Sequence, residues 1–285
     1  MTRRTALKTA AAAALGTTAF AEEAPYRIKN ARIVQSVVPW CFNPMPVEEL
    51  AKHAAALGLK SVELCDPKHW PMLRDLGLTC AIAGSHGFAK GFAHREEWDE
   101  CLAILTKRIG ECAAAGVERV ITFSGFRRGL SDEEGAANMV EGLKKIVPLA
   151  EEKRVTLCLE MLNSRVDVPM KGHPDYFCDS MERSVDICRR IGSPRMKVLF
   201  DLYHVQIMHG DVISRIKEHR EYIAHVHTAG VPGRGEIDDT QELKYPPLMH
   251  ALLEIGYTGY VGQEFIPTWP DKVASLADGV RICDV

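Results

Sequence analysis

The chain has 285 residues, 46% of them hydrophobic and 7% aromatic, with a formal net charge of −3, which is ample for a large buried core. The acidic balance and the lack of a basic patch argue against a nucleic-acid partner, whose phosphates would need neutralising. Nine cysteines, an odd number without a C-x-x-C pair, suit buried thiols rather than a disulfide framework or a structural zinc site.

Residues 1–21 open with Met-Thr-Arg3-Arg4 and run through an Ala-rich stretch to Ala19-Phe20-Ala21. A basic start, a short apolar region and an A-x-A site predict a secretory signal, and the paired arginines predict the twin-arginine route to the periplasm or beyond. The apolar run is too short to span a bilayer, and no later segment is long and apolar enough to do so. The expected mature domain is 22–285. The twin-arginine route carries folded proteins, so free thiols are compatible with export.

Eight apolar runs of strand length follow: 32–37, 61–64, 79–83, 119–123, 155–160, 197–201, Ile223–Thr228 and 260–264. Helical periodicity separates most of them. Val47–Leu57 is begun by Pro46 and ended by Gly58, 97–115 is stopped by Gly116, and 132–153 is the longest. Met181–Ile191 stops at Gly192, and 212–221 and 247–255 follow; only the connection 66–76 is too short for a clear reading. Eightfold alternation predicts an α/β fold, a single (β/α)8 TIM barrel. A doubly wound open sheet is the competing architecture, but no glycine-rich fingerprint follows the first strand. The long loops 163–179 and 231–245 would lie at the carboxyl end of such a barrel, where its active sites sit.

Four of the runs end in groups able to ligate a metal: Glu160, Asp201, His227 and Glu264. In a barrel these converge on one mouth, and three carboxylates gathered there would repel one another without a cation. Oxygen-rich ligands with one imidazole suit Mg²⁺, Mn²⁺ or Co²⁺. His225 shares a strand face with His227, and such a pair reads as satisfied core histidines or as ligands. His204, three residues beyond Asp201, is a candidate substrate-binding imidazole, and Arg234 a candidate clamp for a carboxylate or sugar oxygen. Glu63 and His86 are expected to line the pocket from the far side; Trp40, Phe42 and Trp269 are candidates for apolar walls, with core packing the commoner role for any one of them.

The motifs Glu160-Met-Leu-Asn-Ser-Arg165, Phe200-Asp-Leu-Tyr-His204, His225-Val-His-Thr-Ala-Gly-Val-Pro-Gly-Arg-Gly-Glu236 and Gly256-Tyr-Thr-Gly-Tyr-Val-Gly-Gln-Glu264 resemble the hydroxypyruvate isomerase family, one of the xylose-isomerase-like barrels. The resemblance spans most of residues 30–270. It implies metal binding by Glu160, Asp201, His227 and Glu264, with Glu160 and Glu264 as the proton-transferring pair. The implied reaction interconverts an α-hydroxy ketone and an α-hydroxy aldehyde, such as hydroxypyruvate and 2-hydroxy-3-oxopropanoate, through an enediolate and without a redox cofactor. At His227 the family has glutamine and the related sugar epimerases have histidine, so a ketose 3-epimerase or other sugar isomerase is the alternative. A metal-dependent repair nuclease would need the basic face this chain lacks. A secreted, non-catalytic sugar-binding barrel is the alternative of another class, and would have no use for a proton-transfer pair. The expected partner is a small hydroxy-carbonyl or sugar substrate, and a homo-oligomer is compatible with the sequence.

Overall fold

The computed structural model describes residues 26–285; the expected signal over residues 1–21 lies outside the described residues. Seven parallel strands form one sheet: β1 (Val34–Val37), β2 (Ser61–Val62), β3 (Arg119–Thr122), β4 (Thr156–Glu160), β5 (Met196–Asp201), β6 (Ile223–Thr228) and β7 (Tyr260–Gln263). Their order is β2-β1-β7-β6-β5-β4-β3. Nearly every strand residue is buried, as a parallel sheet covered by helices requires.

The expected strand over residues 79–83 is not continuous. It touches β2 and β3 through two isolated parallel bridges, Ser61 with Thr79 and Ala83 with Val120. Backbone bonds from Val62 N–H to Thr79 O (3.1 Å) and from Ile121 N–H to Ala83 O (3.0 Å) nevertheless link the two edge strands, which closes the sheet into a barrel. The ladder breaks because the Ala81 N–H donates to the Ser61 hydroxyl (2.8 Å) instead of to a backbone carbonyl. The expected helix 132–153 also divides, into Asp132–Lys144 and Val147–Lys153, because Pro148 removes a backbone donor and starts a new first turn. Two helices were not anticipated, Leu202–Met208 directly after β5 and Lys272–Cys283 at the carboxyl end.

The barrel joins distant parts of the chain. β1 pairs with β7 over four residues from Val34 with Tyr260 to Val37 with Gln263. Asp284 then accepts from the Tyr26 hydroxyl (2.7 Å) and from the Lys29 and Ala31 amides (2.6 and 3.0 Å), which seals the same seam from outside the sheet. All nine cysteines are buried and free.

Candidate active site

Parallel register brings the strand ends together. Asp201 lies beside His227 and His227 beside Gly262, while Glu160 ends β4 and Glu264 follows β7 directly. Glu160, Asp201, His227 and Glu264 each offer a ligand atom within 4.8 Å of the others, and all four are buried. The structure thus gathers the four expected residues at the carboxyl mouth of the barrel.

His227 is held from beneath. Strand alternation puts His225 and His227 on one face, and both Nε2 atoms meet the same Glu63 oxygen, at 2.9 and 2.7 Å. A carboxylate accepts, so both histidines donate from Nε2. Nδ1 of His227 is left facing Glu264 Oε2 at 3.0 Å and Glu160 Oε1 at 3.6 Å. The Ser36 hydroxyl donates to the other Glu63 oxygen. Gly262 makes this possible, since a Cβ there would stand 2.4 Å from Glu63 Oε1 and 2.8 Å from His227 Cδ2.

Asp201 divides its carboxylate between two tasks. Oδ1 caps the Leu202–Met208 helix by accepting from the Tyr203 and His204 amides (2.7 and 3.3 Å). Oδ2 has no hydrogen-bond partner among the described residues. His204, one turn into that helix, accepts on Nδ1 from the Asn163 amide (3.0 Å), so its proton is on Nε2, 3.6 Å from Asp201 Oδ2.

Arg234 has a left-handed backbone (φ 58°) in a turn closed by Gly230 N–H to Gly235 O (2.8 Å). It donates from Nη2 to Glu264 Oε2 (2.7 Å) and from Nη1 to the Met170 carbonyl (2.9 Å). Its guanidinium lies 5.0 Å from the Trp40 ring centroid, and the Trp40 indole donates to Glu264 Oε1 (3.3 Å).

The cluster is electrostatically lopsided. Burial, then the Glu264 charge, pushes Asp201 up to about 7, and burial likewise raises Glu160. Burial would also raise Glu264, but His227 and Arg234 outweigh it and hold the carboxyl well below its usual range. Burial opposes protonation of His227, yet the Glu264 charge and its carboxylate hydrogen bonds lift it well above an ordinary imidazole. Burial and then Arg234 push His204 well below, so it is neutral. Asp201 Oδ2 and His227 Nδ1 are buried without hydrogen-bond partners, and Glu160 makes no side-chain hydrogen bond among the described residues. Two unpaired ligand atoms, Asp201 Oδ2 and His227 Nδ1, converge with the carboxylates of Glu160 and Glu264, and this set of oxygen and nitrogen atoms fits a divalent cation.

Above the cluster opens a cleft of about 740 Å³ with Glu160, Glu264, Arg234 and Trp40 at its base. Several expected pocket residues are placed elsewhere. Glu63 is beneath the histidines, not on the cleft wall. His86 spends Nδ1 on the Gly87 and Lys90 carbonyls (both 3.0 Å) and Nε2 on the Thr122 hydroxyl (3.1 Å), so it pins its own loop. His204 supports Asp201 from behind the wall. Of the expected apolar walls only Trp40 lines the cleft; Phe42 is fully buried against Phe265, and Trp269 sits on the surface. His173, Phe88 and Met170 on the wall and Asn163 behind it were missed. The length of the 163–179 loop was the only sequence signal for three of them.

A closed parallel barrel with a buried carboxylate and histidine cluster at its carboxyl mouth defines a class of enzyme-bearing folds. Residues 11–282 match the family described as Xylose isomerase-like TIM barrel, and the chain belongs to that family. A putative hydroxypyruvate isomerase of Homo sapiens is 27% identical over 235 residues, covering 81% of this chain and 78% of the human one. A 2-oxo-tetronate isomerase of Cupriavidus necator is 36% identical over 131 residues, which cover 46% of this chain and 48% of that protein. Among solved structures, an AP endonuclease, family 2, from Brucella melitensis superimposes with a TM-score of 0.74 at 26% identity, covering 86% of this chain and 97% of that one.

Proposed function

We propose that this isomerase interconverts an α-hydroxy ketone and an α-hydroxy aldehyde by moving a carbon-bound proton between Glu160 and Glu264, with hydroxypyruvate and 2-hydroxy-3-oxopropanoate as the reference pair. The observation that carries the reading is the meeting of Glu160, Asp201, His227 and Glu264 at one mouth, with buried atoms there left unsatisfied. Those four would hold a divalent cation, Mg²⁺, Mn²⁺ or Co²⁺. When bound, the cation would supply positive charge where oxyanion character develops on the substrate.

The two carboxylates sit in different surroundings, which suits them to complementary tasks. Glu264 is tied to Arg234, Trp40 and His227 and is kept ionised, so it is the base that takes the proton beside the carbonyl. Glu160 has no hydrogen-bond tie and burial favours its protonated form, so it gives a proton to the former carbonyl carbon, while the hydroxyl proton passes from the original hydroxyl oxygen to the former carbonyl oxygen. The roles exchange in the reverse direction. Arg234 reaches the cleft base and would recognise a substrate carboxylate or hydroxyl, while His204 Nε2 stands 3.6 Å behind Asp201 Oδ2. Relatives named as hydroxypyruvate and 2-oxo-tetronate isomerases support a hydroxy-carbonyl substrate.

Epimerisation beside a ketone would use the same carboxylate pair, and the size of the cleft favours keeping that second reading. A non-catalytic sugar binder would gain nothing from two carboxylates buried against each other. Export by the twin-arginine route rests on residues 1–21 alone and remains part of the proposal.

In the test, Mn²⁺-loaded protein is incubated in deuterated water with hydroxypyruvate or a ketose, and solvent deuterium should enter the carbon-bound position. Glu264→Gln should abolish this with the fold intact by circular dichroism. Unchanged exchange in that variant would remove Glu264 from the mechanism.

A further inference from the structure

We propose that the cleft above the carboxylates is a subsite for a flat apolar ring attached to the reacting hydroxy ketone, so that the substrate is larger than a triose acid. This rests on the hydroxy-carbonyl isomerase reading above and names the other half of the molecule that the site accepts.

Size is the first argument. The cleft encloses about 740 Å³. A triose acid has about seven heavy atoms, and even at the ~30 Å³ that a molecule takes in liquid water it fills only about 200 Å³. Most of the space would remain water, above a base that already supplies the polar partners such a substrate needs.

The wall chemistry is the second. Beyond the base the lining is mainly Leu64, Phe88, Ile121, Phe123, Leu162 and Met170. A polyol tail laid there would leave hydroxyls without partners against hydrocarbon, at a real cost. Phe88 and Met170 stand at the rim 42% and 53% exposed, large apolar side chains held out of the core where a ligand could cover them. Phe88 is braced edge-on against the His173 ring at 4.3 Å between centroids and against Phe126 at 6.3 Å, so the aromatic rim is formed in advance.

Two further contacts point the same way. The Ser85 hydroxyl is a cleft-lining group whose oxygen is buried without a partner, and the His173 imidazole makes no hydrogen bond among the described residues. With the exposed Asp167 carboxylate, they offer a polar edge to one or two substituents of a ring, while most of the remaining wall is hydrocarbon. The rim is also fixed to the chemistry below it, because the Met170 carbonyl accepts from the same Arg234 that pairs with Glu264.

The test uses three compounds that share the HOCH2–CO– end: dihydroxyacetone, erythrulose with a polar tail, and benzyl hydroxymethyl ketone with an apolar ring. Dissociation constants are measured by calorimetry on the Mn²⁺-loaded protein, alongside deuterium exchange. Burial of the ring should make the benzyl compound bind about tenfold more tightly than dihydroxyacetone. Phe88→Ala, a change at an exposed side chain that leaves the core alone, should bring that ratio down towards one. Equal binding of all three, or a preference for erythrulose, would overturn the proposal, as would a benzyl preference that survives in the Phe88→Ala and Met170→Ala variants. A benzyl preference lost in those variants, without deuterium exchange on any compound, would uphold the subsite while removing the isomerase chemistry.

Discussion

Glu63 accepts from Nε2 of both His225 and His227, and in doing so decides which nitrogen of His227 faces the three carboxylates. A group that orients a ligand imidazole in this way affects metal affinity without touching the metal. Glu63→Gln can donate as well as accept, so it no longer enforces that tautomer; Mn²⁺ binding measured by calorimetry should weaken roughly 10–100-fold. Asp201 carries a pH-dependent cost. Its carboxyl, raised to about 7 by burial and then by Glu264, holds its proton longer in the folded protein than in the unfolded chain. Metal-free protein should therefore lose stability as pH rises from about 4 to about 7, the unfolded state releasing its proton first. Glu63, pulled down to about 2 because His225 and His227 outweigh its burial, acts oppositely and in a lower window: its contribution is lost as pH falls below about 4. Asp201→Asn, which keeps the helix-capping oxygen, should raise the melting temperature of the metal-free protein at pH 8 by roughly 2–4 °C per kcal/mol relieved, with no gain at pH 4. The same variant should show no melting shift on adding Mn²⁺, whereas the parent should.

At the level of elements, β7 shows why some of the site was legible and some was not. Glu264 could be read because an apolar run ends there, and the same rule found Glu160, Asp201 and His227. The placement of Glu63 could not be read, because the depth of a side chain depends on a gap opened across the sheet at Gly262. Gly262→Ala would drive a methyl into Glu63 and His227, with an expected destabilisation of about 1–3 kcal/mol in denaturant titration. It should also weaken metal binding, which separates it from an overpacked core position elsewhere. The broken ladder at residues 79–83 was likewise hidden, since it turns on one Ser61 hydroxyl taking a backbone donor. The division of the helix at Pro148 was visible in principle, and the longer amphipathic pattern masked it.

Across the whole molecule, alternation of apolar strands and amphipathic helices was enough to give the barrel, because that pattern is repeated many times and tolerates a lost strand. Cleft shape was out of reach, since the 163–179 loop has no periodicity and its Met170 and His173 acquire meaning only when folded onto the cleft that Phe88 also lines. The cysteines follow the simpler rule. All nine are buried and unpaired, and burial pushes thiols such as Cys158 and Cys178 up to about 12. Labelling with a thiol reagent should be slow in the native protein and reach nine equivalents after unfolding, and dithiothreitol should leave the melting temperature unchanged.

The seam between β1 and β7 has a consequence for how the protein is made. Glu264 sits at the end of the strand that completes the ring, and Asp284 fastens that seam to Tyr26 near the other end of the described chain. A nascent polypeptide on the ribosome therefore holds Glu160, Asp201 and His227 before Glu264, the fourth member of the cluster, is in place. A cation bound by these four residues would find its full set of ligands only after the last strand had emerged and met the first, and a half-built barrel would offer it three of the four.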